Sequence, residues 1–159
     1  MPTIALVLLG FLLAADLAVF GGLWLMAVRS RANPPGAVGR GALARGTGKP
    51  NYVASSDREP ARRVEPLRFR GAPAEAWRAA VAAVQSLEKT TLVVLEDNYL
   101  HAEVRSAFFG FVDDLELKLH PDEKVIHARS ASRTGHWDAG ANRRRVERVR
   151  ETFEKQLAS

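Results

Sequence analysis

The first pattern along the chain is an unbroken apolar run. Ile4 to Val28 is 25 residues long and is interrupted only by Asp16 and three glycines. As a helix it is long enough to cross roughly 30 Å of hydrocarbon. A cleaved leader needs a positive segment before its apolar core, and no basic side chain precedes this run. Leu13-Ala14-Ala15 offers small residues for cleavage, but the run continues well past them. The pattern therefore predicts a retained transmembrane anchor over residues 1–28, with Asp16 near mid-membrane either as a protonated or helix-packed acid or as an oligomer contact. Residues 29–50 follow with Gly, Pro, Arg and Ala and no apolar period, which predicts a basic flexible linker.

From residue 51 the periods become regular, and residues 51–159 are predicted to form one α+β domain. Val64 to Arg70 alternates, with Leu67 and Phe69 on one side, as an edge strand that tolerates Pro66 does. Gly71-Ala72-Pro73 opens a helix, Pro being favoured in the first turn. Trp77, Ala80, Val81, Val84 and Leu87 then recur at helical spacing. Thr90 to Leu95 is β-branched and apolar on both sides, the signature of a central or covered strand. Asp97-Asn98 marks a turn, and three alternating strands follow at residues 99–106, 111–120 and 125–132. Asn142 is the predicted N-cap of a last helix with a stripe of Val146, Val149, Phe153 and Leu157. The order is β-α-β-β-β-β-α, an antiparallel sheet with its helices on one face. On the other face His101, Glu103, Arg105, Asp114, Glu116, Lys118, His127 and Arg129 mix both signs, so a solvated ladder of charge pairs is expected there.

Charge changes the picture by where it lies. The formal net charge is +5, with +7 between Arg29 and Arg70 and −1 from Gly71 onward. A nucleic-acid-binding domain carries its own basic face, so no nucleic acid is expected as partner. The expected partners are the lipid bilayer through residues 4–28 and anionic head groups through Arg29, Arg31, Arg40, Arg45 and Lys49. The same cations place the domain on the cytoplasmic side by the positive-inside rule, with the extracytoplasmic side as the alternative. The chain has no cysteine, which excludes disulfides, a thiol nucleophile and a cysteine zinc site.

Candidate chemistry is sparse. A metal site from His101, Glu103, Asp114 and His127 is not expected, because a strand separates the two histidines and their backbones would stand about 9–10 Å apart. Ser106, Ser130 and Ser132 lack a nucleophile elbow. Asp113 falls on the apolar parity of its strand and needs a buried partner. Arg143-Arg144-Arg145 is the anomaly, since three cations open a helix whose dipole prefers anions. One reading pairs Arg145 with Asp113 or Asp138 as a structural ion pair. The other is an anion site of Arg133, Arg143, Arg144 and Ser132, with N–H groups of the Gly135/Gly140 loop. Phe108-Phe109-Gly110-Phe111 either caps the core or forms an aromatic tip. No cofactor and no catalytic residue are assigned.

Several stretches together carry a resemblance. They are His101-Ala102-Glu103-Val104-Arg105-Ser106, Phe111-Val112-Asp113-Asp114, residues 126–133 (IHARSASR) and Asp138-x-Gly140-x-Asn142-Arg143-Arg144-Arg145. With Trp77 and the Pro50-Asn51-x-Val53-x-Ser55-Ser56 approach they resemble the family called domain of unknown function 1499, over roughly residues 49–157. The resemblance implies hydrophobic N-termini, and some members that look exported. The family approach often reads Pro-Asn-Cys-Val, and Tyr52 stands here in place of that cysteine. The functional expectation is a membrane-anchored binding or scaffold module that recognises an anionic group at the arginine corner. The alternative is an enzyme acting on a phosphorylated or anionic substrate.

Overall fold

The computed structural model describes residues 2–32, 38 and 41–158; Arg40 lies outside them. The element order is α1 (Pro2–Ala32), β1 (Tyr52–Ala54), β2 (Leu67–Arg68), α2 (Pro73–Gln85), β3 (Thr90–Leu95), β4 (Tyr99–Arg105), β5 (Val112–His120), β6 (Val125–Ser132) and α3 (Ala141–Leu157). The chain is α+β: an N-terminal apolar helix, then an antiparallel sheet with two further helices. The strands lie in the order β1-β6-β5-β4-β3, and β2 pairs with the start of β6. The meander β3-β4-β5-β6 follows from short turns between alternating strands. β1 then adds to the free edge of β6, Val53 opposite Ser130.

α2 and α3 pack on one face. Ala76, Ala80 and Ala83 are buried beside Trp77 and Val84, and these small side chains let the helix lie close. The Trp77 indole donates to the Glu96 carbonyl at 3.0 Å, pinning α2 to the β3–β4 turn. Val146, Val149 and Phe153 of α3 meet Leu115 and Leu117 of β5, Leu100 of β4 and Ile126 of β6 in one core.

Three expectations are corrected. β3 is an edge strand, with Val93 and Leu95 about half exposed. Its apolar outer side faces away from the helices and stays about half exposed. Asn142 is not the N-cap. α3 begins at Ala141 behind Gly140, which takes the left-handed conformation at φ 76°, and Asn142 is fully buried. Asp138 does the capping, its carboxylate accepting the N–H groups of Gly140 and Asn142, both at 2.9 Å. That negative charge at the helix start offsets the dipole against the three arginines.

The charged face of the sheet is not solvated: His101, Asp114, Glu116 and Arg129 are all buried. Residues 41–51, part of the stretch read as linker, and the end of α1 cover it. Ala44 N–H donates to Glu116 at 3.2 Å, and Gly46 lies flat on the Tyr52 ring, where even a methyl group would collide. On α1, Met26, Ala27 and Ser30 turn toward the sheet while Trp24 and Leu25 stay exposed. Ser30 Oγ accepts the Val112 N–H at 3.0 Å.

Both faces should therefore carry stability. Leu117→Ala or Phe153→Ala is expected to cost about 2–5 kcal/mol. Arg129→Ala is expected to cost about 3–5 kcal/mol, because it strands a buried Glu116. Glu151→Ala, at an exposed position, should cost less than about 0.5 kcal/mol. Chemical denaturation of the full chain in detergent measures all of these, and a silent Arg129→Ala would contradict burial of the second face.

A candidate cationic cleft beside a buried charge network

Strand register builds the network. Glu116 stands opposite His101 on β4 and Arg129 on β6, and Asp114 stands opposite Glu103 and Ala131. Glu116 accepts from Tyr99 Oη at 2.7 Å and from Arg129 Nη1 at 2.6 Å. Asp114 lies 2.8 Å from His101 Nε2 and accepts from Arg133 Nε and Nη2. Arg133 also donates to Glu103 at 2.7 Å and to the Ser30 carbonyl at 3.2 Å. Burial alone raises the Asp114 carboxyl. Hydrogen bonds from His101 and Arg133, with the Arg133 charge, more than reverse this and hold it below its ordinary value of 3.8. Burial lowers Arg133, and its hydrogen bonds and charge contact with Asp114 and Glu103 more than reverse that.

The residues singled out for an anion site are not brought together. Ser132 is the last residue of β6 and Arg133 the first beyond it, and their side chains point to opposite sides of the sheet. Arg133 goes into the buried network, while Ser132 Oγ accepts from Asn142 Nδ2 at 3.0 Å on the helix side. Arg143 reaches the Ala61 carbonyl at 3.0 Å and Arg144 the Ala139 carbonyl at 2.9 Å. Arg145 turns inward, with Nη2 at 2.6 Å from Asp113 Oδ2 and Nη1 at 2.7 Å from Ser130 Oγ. Asp138 is occupied as the α3 cap and makes no pair with Arg145.

A different basic site emerges on the outer side of the same helix. Arg144, Arg145 and Arg148 of α3 line a cleft of about 240 Å³ with Lys89 and Arg105. Among the described residues, Glu88 is the single acid in its wall. Arg145 is matched by Asp113, and Arg105 has Glu103 at 3.9 Å. Among the described residues, no carboxylate lies within ion-pairing distance of Lys89, Arg144 or Arg148. Lys89 and Arg105 also line a wider depression of about 610 Å³ that ends at Phe108, Phe109 and Arg31. Sequence reasoning missed Lys89, Arg105 and Arg148 because they come from three separate elements. The one available signal was Arg148, four residues after Arg144 and so on the same helical face.

The tip of that depression lies against α1. The Phe109 ring is 6.2 Å from Phe20 and 6.0 Å from Phe111. Arg31 donates to the carbonyls of Phe109 at 2.7 Å and Gly110 at 3.2 Å. Gly110 is required there: its φ is +66°, and a side chain would strike the Arg31 guanidinium. Phe108 is 94% exposed and Trp137 73% exposed, so two large aromatics project on the α1 side.

Residues 42–153 match the family described as Protein of unknown function (DUF1499), and the chain belongs to that family. No curated protein was found to match it.

The depressed Asp114 value makes a signed prediction. Its contribution to stability is fully present above the unfolded carboxyl value and is lost as pH falls through the lower folded one. The melting temperature of Asp114→Asn should therefore lie below wild type at neutral pH, with the gap closing as pH drops below the ordinary carboxylate range. Parallel melting curves across that range test it, and a gap that does not change with pH would contradict the assignment.

Proposed function

We propose that this member of the DUF1499 family is a single-pass membrane protein whose α+β domain binds an anionic phospholipid headgroup in the cationic cleft beside its anchor. The helix segment Leu6–Ala32 is long and apolar enough to cross a membrane. A hydrocarbon core of roughly 30 Å takes up about 20 residues, fewer than the 27 of that segment; with Met26, Ala27 and Ser30 packed on the domain, we take the hydrocarbon part to end near Leu23. Phe109, against Phe20, then reaches the boundary between hydrocarbon and headgroups, where aromatic residues are favoured. Arg29 and Arg31 stand in the headgroup layer just beyond it, with Arg45 and Lys49 later in the chain. By the charge rule the domain is cytoplasmic.

The observation that carries the reading is the set of unmatched cations, Lys89, Arg144 and Arg148, in a cleft that continues to Phe108. A headgroup phosphate suits the guanidinium groups, and the acyl chains suit the phenylalanines. Binding is favoured over catalysis by the cleft wall itself. It holds cations, apolar residues and one exposed carboxylate, Glu88, with no histidine among the described residues.

Full-length protein in nanodiscs tests this. Native mass spectrometry should find anionic phosphatidylglycerol retained in preference to phosphatidylcholine. At about 1 kcal/mol per cation near a membrane surface, Lys89→Ala/Arg105→Ala/Arg148→Ala should reduce that preference tenfold or more, with the melting temperature unchanged. Equal retention by the variant, or no preference in wild type at matched ionic strength, would refute the cleft. A reporter fused after Ser159 that is active only outside the cytoplasm would reverse the topology and leave the cleft to be judged on the lipid data.

A further inference from the structure

The β5–β6 hairpin closes at the end of the sheet away from α1. Val112, where β5 meets Ser30, and His120, where β5 ends, are separated by about 27 Å along the strand. The hairpin turns through His120-Pro121-Asp122-Glu123-Lys124. Pro121 presets its own backbone angle, Lys124 takes φ +54°, and Lys124 N–H closes on the Pro121 carbonyl at 3.2 Å. The register sets His120 opposite Val125 and His127 opposite Lys118. The two histidines are therefore diagonal neighbours on one face, close enough for their side chains to meet.

They do meet. The imidazole rings lie edge to face with centroids 4.9 Å apart. Glu123 leans over them from the turn, with Oε1 at 3.3 Å from His120 Nδ1 and Oε2 at 4.0 Å from His127 Nε2. One ligand atom from each of the three residues lies within 4.8 Å of the others. His127 is also held from behind. Its Nδ1 is 2.8 Å from Ser55 Oγ, and that oxygen accepts the Ala128 N–H at 3.0 Å. The ring is thereby oriented with Nε2 toward Glu123. A metal-ligating histidine is commonly fixed in this way, its second nitrogen donating to an acceptor behind it.

We propose that His120, Glu123 and His127 bind a divalent transition ion of the zinc class, with Ser55 as a positioning residue. Two imidazoles and one carboxylate suit zinc or its first-row neighbours, and calcium and magnesium prefer oxygen throughout. Tetrahedral zinc with bonds of 2.0–2.1 Å sets its ligands about 3.3 Å apart. The cluster reaches that spacing by contracting around His127, whose side chain is mostly buried, while the more exposed Glu123 and His120 move in. Three protein ligands leave the fourth position to water. The site lies on a different surface from the cationic cleft and does not depend on its ligand.

The test is zinc titration of the tag-free, chelator-treated full chain in detergent, followed by calorimetry, with cobalt(II) absorption as a second readout. One zinc ion per chain is expected. His120→Ala and Glu123→Gln should each weaken binding at least tenfold and abolish the cobalt bands. Both positions are substantially exposed, so circular dichroism should remain native. Ser55→Ala should weaken binding about 10–100-fold, as loss of an orienting partner does, while His136→Ala should leave it unchanged. No saturable zinc binding by wild type, or undiminished binding by His120→Ala and Glu123→Gln, would overturn the proposal.

Discussion

Arg133 holds the structure in one arrangement. Its side chain is 2% exposed and is shared among Asp114, Glu103 and the backbone carbonyl of Ser30 in α1. A guanidinium taken out of water this completely needs all of its partners, and removing one leaves a charge whose desolvation is not repaid. Ser30 strengthens the joint by accepting the Val112 N–H, and Arg31 ties down the Phe109-Gly110 carbonyls. The end of the apolar helix is therefore built into the sheet. The cationic cleft, the aromatic tip and the distal hairpin each take a set position relative to α1.

The same buried charges specify the pairing of β4, β5 and β6. A slip of one residue would exchange the two faces of a strand. It would bring Leu115 and Leu117 under the 41–51 segment and drive Asp114 and Glu116 into the apolar core below α2 and α3. Ion pairs of this kind add little net stability over apolar packing, but here they make the wrong register costly. Tyr52 contributes at the margin. Its hydroxyl donates to Asp57, the Arg62 guanidinium lies over its ring, and Gly46 closes on it.

The helices, the meander and the apolar face were legible because each follows a period of 3.6 or 2. Asp113 on the wrong parity showed that a partner was needed, and Arg145 stands 2.6 Å from it. The second face was not legible. Charges of both signs on a strand read as solvated, and the cover over them comes from a Gly-rich stretch with no apolar period, whose contacts are polar and long-range. Three-residue β1 carries too short an alternation to announce a strand. β3 is apolar on both sides, which reads as burial, yet it is the sheet's edge. The residues named for an anion site are parted by their contacts: Arg133 turns to Asp114 and Glu103, and Ser132 turns to Asn142. His120 went unconsidered because it sits at a turn, where periodicity is silent and register alone brings it to His127.

On the proposed membrane-anchored reading, the joint at Ser30 and Arg133 holds the tip and the cleft at the membrane surface. Because the chain has no native cysteine, a single nitroxide can be attached at Phe108→Cys or, for comparison, at Glu123→Cys. Power-saturation EPR in liposomes then reads the depth of each label. A label at position 108 is expected to be more accessible to oxygen than to a water-soluble nickel chelate, as at the headgroup boundary, and a label at position 123 to show the reverse. A fully aqueous label at position 108 would contradict the account.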